Sequence, residues 1–177
     1  MPNLQIPEQE LYDERNERFI ETPGFVYSYE HSLYAIGKWE SKTHRAFMND
    51  DDKSEDDWIF YIKCMSLDDI SIDSCFAIYS SRLKEILEYI NDPSTATTFS
   101  ENRASPFMPT TTNEEIYYWM VKFNIPFECE HWNLNRLLTL IRVIGEKENP
   151  RYMSQNEIYK QNNELNKARR AAMKMRR

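Results

Sequence analysis

The chain has 177 residues, 41% of them hydrophobic and 14% aromatic, enough to bury a core without a metal or disulfide staple and too apolar for a disordered chain. Only three glycines occur, isolated at Gly24, Gly37 and Gly145, which argues against the glycine-rich phosphate cradles of nucleotide-binding folds. The net charge of −7 conceals an asymmetry: residues 151–177 hold eight Lys/Arg against two Glu, leaving −13 on residues 1–150, a body that repels nucleic-acid phosphates.

Residues 4–29 alternate weakly between apolar and polar and are punctuated by Pro7, Pro23 and Gly24, which predicts a β-hairpin or three-stranded ribbon. Phe25, Tyr27 and Tyr29 share one of its faces. The period then lengthens. Residues 31–42 read as a helix with Leu33 and Ile36 inward and Tyr34 and Trp39 flanking them, and Gly37 permitting a close helix contact. The acidic stretch 49–57 runs into a helix start, where Ser54 and Asp57 have the spacing of a capping box. Trp58, Ile59, Tyr61, Ile62 and Met65 supply the apolar stripe of that helix. Residues 66–74 read as a loop, 75–79 as a short strand, and 81–90 as an amphipathic helix ended by Asn91-Asp92-Pro93.

The Ser/Thr/Pro-rich stretch 93–112 is expected to be a mobile loop. Thr112 and Glu115 again have capping-box spacing, so a helix should start near Asn113 and run through Ile116, Trp119, Met120 and Phe123 to a break at Ile125-Pro126. A second helix is predicted over 130–144, with Leu134, Leu137, Leu138 and Ile141 inward and Gly145 as its cap. Ser154 and Glu157 open a last, weakly apolar helix, which is expected to project or fold against a partner. The fold class is therefore α+β, predominantly helical, a small N-terminal β-ribbon on about five or six helices. The expected organisation is one acidic globular domain over 1–150 and a basic C-terminal helix or tail over 151–177.

No catalytic constellation emerges. Cys64, Cys75 and Cys129 have no CxxC or Cys-His spacing, so buried reduced thiols are expected rather than disulfides or zinc. Cys129 lies near His131, but Glu128 and Glu130 flank it, and carboxylates raise rather than lower a thiol pKa. The acids at 50–57 lack the glycine and closing Glu of a calcium loop. Neither a metal nor a cofactor is expected. Asn135 and Arg136 interrupt a Leu/Ile-rich helix; a buried Arg136 would need a carboxylate, with Glu40 or an acid near Trp58 as candidates, and a pinned core network outranks partner contact. Lys167–Arg177 holds six Lys/Arg and no acid, a solvated run or an arm for an acidic protein surface or nucleic acid. No signal-peptide pattern or membrane-span-length apolar run occurs, so a cytoplasmic location is expected.

Three segments carry a resemblance: EHSLYAIGKWESKTHRAF (30–47) with DWIFYIKCMSL after it, EIYYWMVKFNIPFECEHWNLNRLLTLIRV (115–143), and the tail MSQNEIYKQNNELNKARRAAMKMRR (153–177). In that order, with the strings KWESK around Trp39 and Glu40 and LNRLL around Asn135 and Arg136, the chain resembles the tail assembly chaperones of long-tailed double-stranded DNA phages, encoded near the tape-measure gene. Asn133 stands where those proteins have His.

The resemblance implies a non-enzymatic protein of the host cytoplasm that binds the tape measure protein, brings tail-tube subunits to it and is absent from the mature virion. Such a client wants an adaptable aromatic groove. Tyr117, Tyr118, Trp119, Phe127 and Trp132 are the candidates, although plain core remains the heavier reading for Trp119 and Trp132. Arg136 and the tail residues Lys167, Arg169, Arg170 and Lys174 are further candidate contacts, with self-association through the tail as an option. Two other readings stand beside this one: a structural head–tail or tail-completion protein that stays in the virion, and a nucleic-acid-binding regulator acting through the tail.

Overall fold

The computed structural model describes residues 2–14, 17–99, 111–148, 159, 163 and 165–167. The chain divides into two units, Met1–Ile144 and Gly145–Arg177. Four strands open the first: β1 (Asn3–Ile6), β2 (Gln9–Asp13), β3 (Arg18–Thr22) and β4 (Phe25–Ser28). They are α1 (Leu33–Thr43), α2 (Glu55–Met65), α3 (Ile72–Asn91), α4 (Asn113–Lys122) and α5 (Leu134–Glu148) that follow as helices, with 3-10 turns at Phe47–Asn49 and Phe127–His131. The α+β, mainly helical architecture expected from the sequence is the one observed.

The ribbon is one long antiparallel hairpin broken in the middle. β1 pairs with β4 through Ile6 and Phe25, and β2 pairs with β3 through Gln9 and Thr22. Pro7 and Pro23 sit in the gap on opposite strands, where neither can donate a ladder hydrogen bond. Gly24 keeps the strands close there, since a Cβ would meet the Glu8 amide at 3.3 Å. Tyr27 and Tyr29 stack on the core side with ring centroids 4.8 Å apart, while Val26, just before Tyr27, faces solvent. Gln9 Nε2 donates to the Ala77 carbonyl of α3 at 3.3 Å.

α1 follows from the cap at Ser32, whose hydroxyl accepts the Ala35 amide. Leu33, Ile36 and Trp39 are wholly buried, and the Trp39 indole donates to the Asp57 carbonyl at 3.2 Å. A Cβ on Gly37 would lie 2.9 Å from the Asn113 side chain, so the close helix contact expected there is made by the start of α4. α2 carries the full capping box between Ser54 and Asp57. Its Tyr61, Ile62 and Met65 join Cys75, Ile78 and Ile86 of α3 in the same core, completed by Ile116, Met120, Leu134 and Leu137.

Residues 75–79, expected as a strand, lie inside α3, which starts at Ile72 and shortens the expected 66–74 loop. The Ser71 hydroxyl caps it, and Cys75, Ile78 and Ile86 continue the helical spacing across the β-favouring residues. The helix expected over 130–144 begins later, at Leu134, because residues 127–131 form the 3-10 turn. Gly145 is inside α5 rather than its cap. Residues 93–99 and 111–112 are without helix or strand, while 100–110 of the expected mobile loop lie outside the described residues. In the second unit, Tyr159, Asn163, Leu165, Asn166 and Lys167 are helical and exposed, and the rest of the expected last helix is outside the described residues.

Candidate partner-binding surface

The KWESK and LNRLL strings act first as fasteners. Glu40 on α1 is 8% exposed and accepts two backbone amides from elsewhere in the chain: Phe47 at 2.8 Å through Oε1 and Asn113 at 2.9 Å through Oε2. It thereby supplies the N-terminal cap of α4, and Thr112, the residue expected to cap that helix, makes no side-chain cap bond. Burial pushes the Glu40 carboxyl up, and the two donors pull it back down. Glu40 is therefore not the partner of Arg136. Asn135 Nδ2 donates to the carbonyls of Ile90 at 2.8 Å and Asp92 at 2.7 Å, closing the C-terminal end of α3.

Arg136 is exposed rather than buried, so the expected core ion pair is absent; its guanidinium lies 4.4 Å from the Trp132 ring centroid. The reason is local. Asn133 Oδ1 accepts the amides of Asn135 and Arg136, fixing the first turn of α5. Leu134 and Leu137 then take the inward positions, 2% and 0% exposed, and Arg136 is turned outward.

Around that turn a surface of aromatic rings is assembled. Asn124, with φ 51°, lets the chain reverse after α4, and the Ile125 amide returns to the Met120 carbonyl at 2.8 Å. The Leu134 amide donates to the His31 carbonyl at 2.7 Å and pins the end of the turn to the entry of α1. On this braced backbone Tyr34 is 47%, Phe127 56% and Trp132 36% exposed. The Tyr34 ring lies 5.0 Å from the His131 ring, and Lys38, one turn along α1, sits 4.9 Å over Tyr34. Tyr117 approaches Phe127 with centroids 6.1 Å apart and donates to Glu130 at 2.5 Å.

The five predicted groove aromatics do not line one groove. Successive α4 residues are about 100° apart, so Tyr117 and Trp119 fall on opposite flanks of the buried Ile116–Met120 stripe. Tyr117, Phe127 and Trp132 gather at the 3-10 turn. Trp119 instead stacks on Phe123 at 5.6 Å under Lys122, with Tyr118 beside it at 5.5 Å. Trp132, for which core was the heavier reading, is partly exposed, and Trp119 is half-buried. Tyr34, Lys38 and His131 were missed as members of this surface. The signal was present, because Tyr34 and Lys38 stand four apart on the side of α1 away from Leu33 and Ile36. Lys167 is exposed on its helix, while Arg169, Arg170 and Lys174 lie outside the described residues.

The thiols are unsuited to nucleophilic work: Cys64, Cys75 and Cys129 are free and buried, and burial pushes Cys64 up to about 11 and Cys75 up to about 12. Among the described residues no cluster of His, Cys, Asp and Glu could hold a metal, and no helix is long and apolar enough to cross a membrane. What the surface offers is apolar contact with flanking cations. The chain matches no family model, no curated protein and no solved structure.

Proposed function

We propose that the chain is a tail assembly chaperone of a long-tailed double-stranded DNA phage, acting in the host cytoplasm without entering the mature virion. In this reading it binds the helical tape measure protein and assists assembly of tail-tube subunits around it. The observation that carries the reading is the exposed aromatic surface of Tyr34, Phe127 and Trp132 on a backbone held by Asn124, Asn133 and the His31 carbonyl. Exposed rings on a rigid support offer apolar area at little ordering cost and suit the apolar face of a helical client. The resemblance of the three sequence segments supplies the identity of that client.

The test is co-expression with the tape measure protein encoded beside it. Wild-type chain should keep the tape measure in solution and copurify with it, whereas Phe127→Ser with Trp132→Ser should weaken the complex about tenfold or more. Equal copurification by the double variant would remove this surface as the client site. Mass spectrometry of purified particles should find the chain missing; stoichiometric recovery would favour a structural head–tail or tail-completion protein.

A further inference from the structure

The aromatic surface at the 3-10 turn carries a charge pattern that narrows what can sit on it. Along the outward side of α1, residues four apart run Tyr34, Lys38, Lys42; from the turn into α5 they run Trp132, Arg136, Leu140. Each row begins with a ring and continues with a cation lying against it. Lys38 is 4.9 Å from the Tyr34 ring centroid and Arg136 is 4.4 Å from that of Trp132. The rows meet where Tyr34 approaches His131, their ring centroids 5.0 Å apart.

No carboxylate is paired with these cations. Among the described residues Lys38, Lys42 and Arg136 form no ion pair, and no acid stands three or four residues from any of them. Partial burial lowers the Lys38 pKa, and the group that opposes the fall is the Cys64 thiol rather than an acid. Glu40, the one acid of α1, is occupied by the Phe47 and Asn113 amides. Glu130 accepts the Tyr117 hydroxyl and lies 3.4 Å from His131 Nε2. Glu128 is exposed on the same turn, which sets one carboxylate against three cations. Residues 1–150 carry −13 in all, so this surface is a cationic island on an acidic body.

We infer that the surface selects amphipathic helices whose apolar face is bordered by Asp or Glu. The rings take the apolar side chains, and Lys38, Lys42 and Arg136 take the carboxylates. This deepens the client reading above and rests on it for the helical partner. The basic segment 151–177, with eight Lys/Arg and two Glu, has the wrong sign to occupy the surface itself. A nucleic acid would supply anions, but the acidic body around the island repels a continuous run of phosphates. A cation already held on a ring needs little ordering to receive a carboxylate, so charge adds selectivity where the rings supply affinity.

Fluorescence anisotropy of the full chain with three labelled synthetic helical peptides tests this. The peptides share one Leu-rich face and differ only in its border, which is Glu, Gln or Lys. The Glu-bordered peptide should bind about tenfold or more tighter than the Gln one, and the Lys-bordered one more weakly still, with the preference fading at high salt. Lys38→Glu with Arg136→Glu should reverse the order and Lys38→Gln with Arg136→Gln should level it, circular dichroism showing each variant folded. Phe127→Ser with Trp132→Ser should weaken all three peptides alike. Equal binding of the three by wild type, or an order unchanged by both charge variants, overturns the inference. So does displacement of the Glu-bordered peptide by a single-stranded oligonucleotide. Self-association in sedimentation velocity that the charge variants abolish would seat a second copy there and overturn it too. Tape measure copurification can succeed while the peptides bind equally, and the peptide order can hold while copurification fails, so the two readings are decided separately.

Discussion

Glu40 does more for this fold than its charge suggests. Its two oxygens accept amides that belong to the Phe47 turn and to α4, 7 and 73 residues away in the chain. Glu40→Ala leaves both amides without an acceptor in a largely buried place and should cost about 3 kcal/mol, whereas Glu40→Gln keeps one acceptor and should cost about half of that. Urea unfolding of the two variants gives the comparison, and equal losses would mean that only one of the two bonds matters. His31 sets a pH dependence. It is 3% exposed, shares a 2.6 Å hydrogen bond with the Tyr61 hydroxyl, and burial lowers its pKa from 6.5 to about 4. As pH falls, the unfolded chain takes this proton first. The stability from His31 is thus complete above pH ~6.5 and is lost as pH drops through 6.5 towards 4, by up to about 3 kcal/mol. Glu40 works in the opposite sense, because protonation relieves a carboxyl that burial has raised. The readout is therefore the difference in urea midpoint between wild type and His31→Gln, which should narrow between pH 7 and pH 4.

At the scale of elements, helix ends decide what was legible. The Ser54–Asp57 capping box could be read from four adjacent residues because the bonds close within those residues. Thr112 and Glu115 have the same spacing, yet the cap of α4 comes from Glu40, and no local pattern announces a partner so distant in sequence. The Cys75–Tyr79 run misled for a related reason: its Phe, Ile and Tyr favour a strand alone, but their burial belongs to a 20-residue helix entered from Ser71. The far end of α3 is equally non-local. Asn135→Ala removes two side-chain bonds to its last carbonyls and should cost about 1–2 kcal/mol. Hydrogen exchange should quicken in the last turn of α3 first; unchanged protection there would show that water replaces the amide fully.

At the scale of the molecule, aromatic residues divide between two duties. Trp39, Tyr27 and Tyr61 are wholly buried and bonded, and their loss should unfold the protein. Phe127 and Trp132 are half in solvent, so Phe127→Ser with Trp132→Ser should shift stability by no more than about 1 kcal/mol while affecting partner binding. A large fall in melting temperature for that pair would return them to the core. Composition and spacing identified the residues of the 3-10 turn as important but could not say which way they faced. Orientation there depends on Asn124, Asn133 and the His31 carbonyl, three contacts that only the folded chain creates.

The cap that Glu40 places on α4 also bears on how the polypeptide can be divided. α4 is anchored to α1 by side-chain and core contacts, since Ile116 and Met120 are buried with Ile36 and Trp39 and the Asn113 amide is held by Glu40. Two separately expressed pieces, 1–99 and 111–177, should find each other and reconstitute the native fold, making this chain a natural split-protein pair whose reassembly reports on the Glu40 contact.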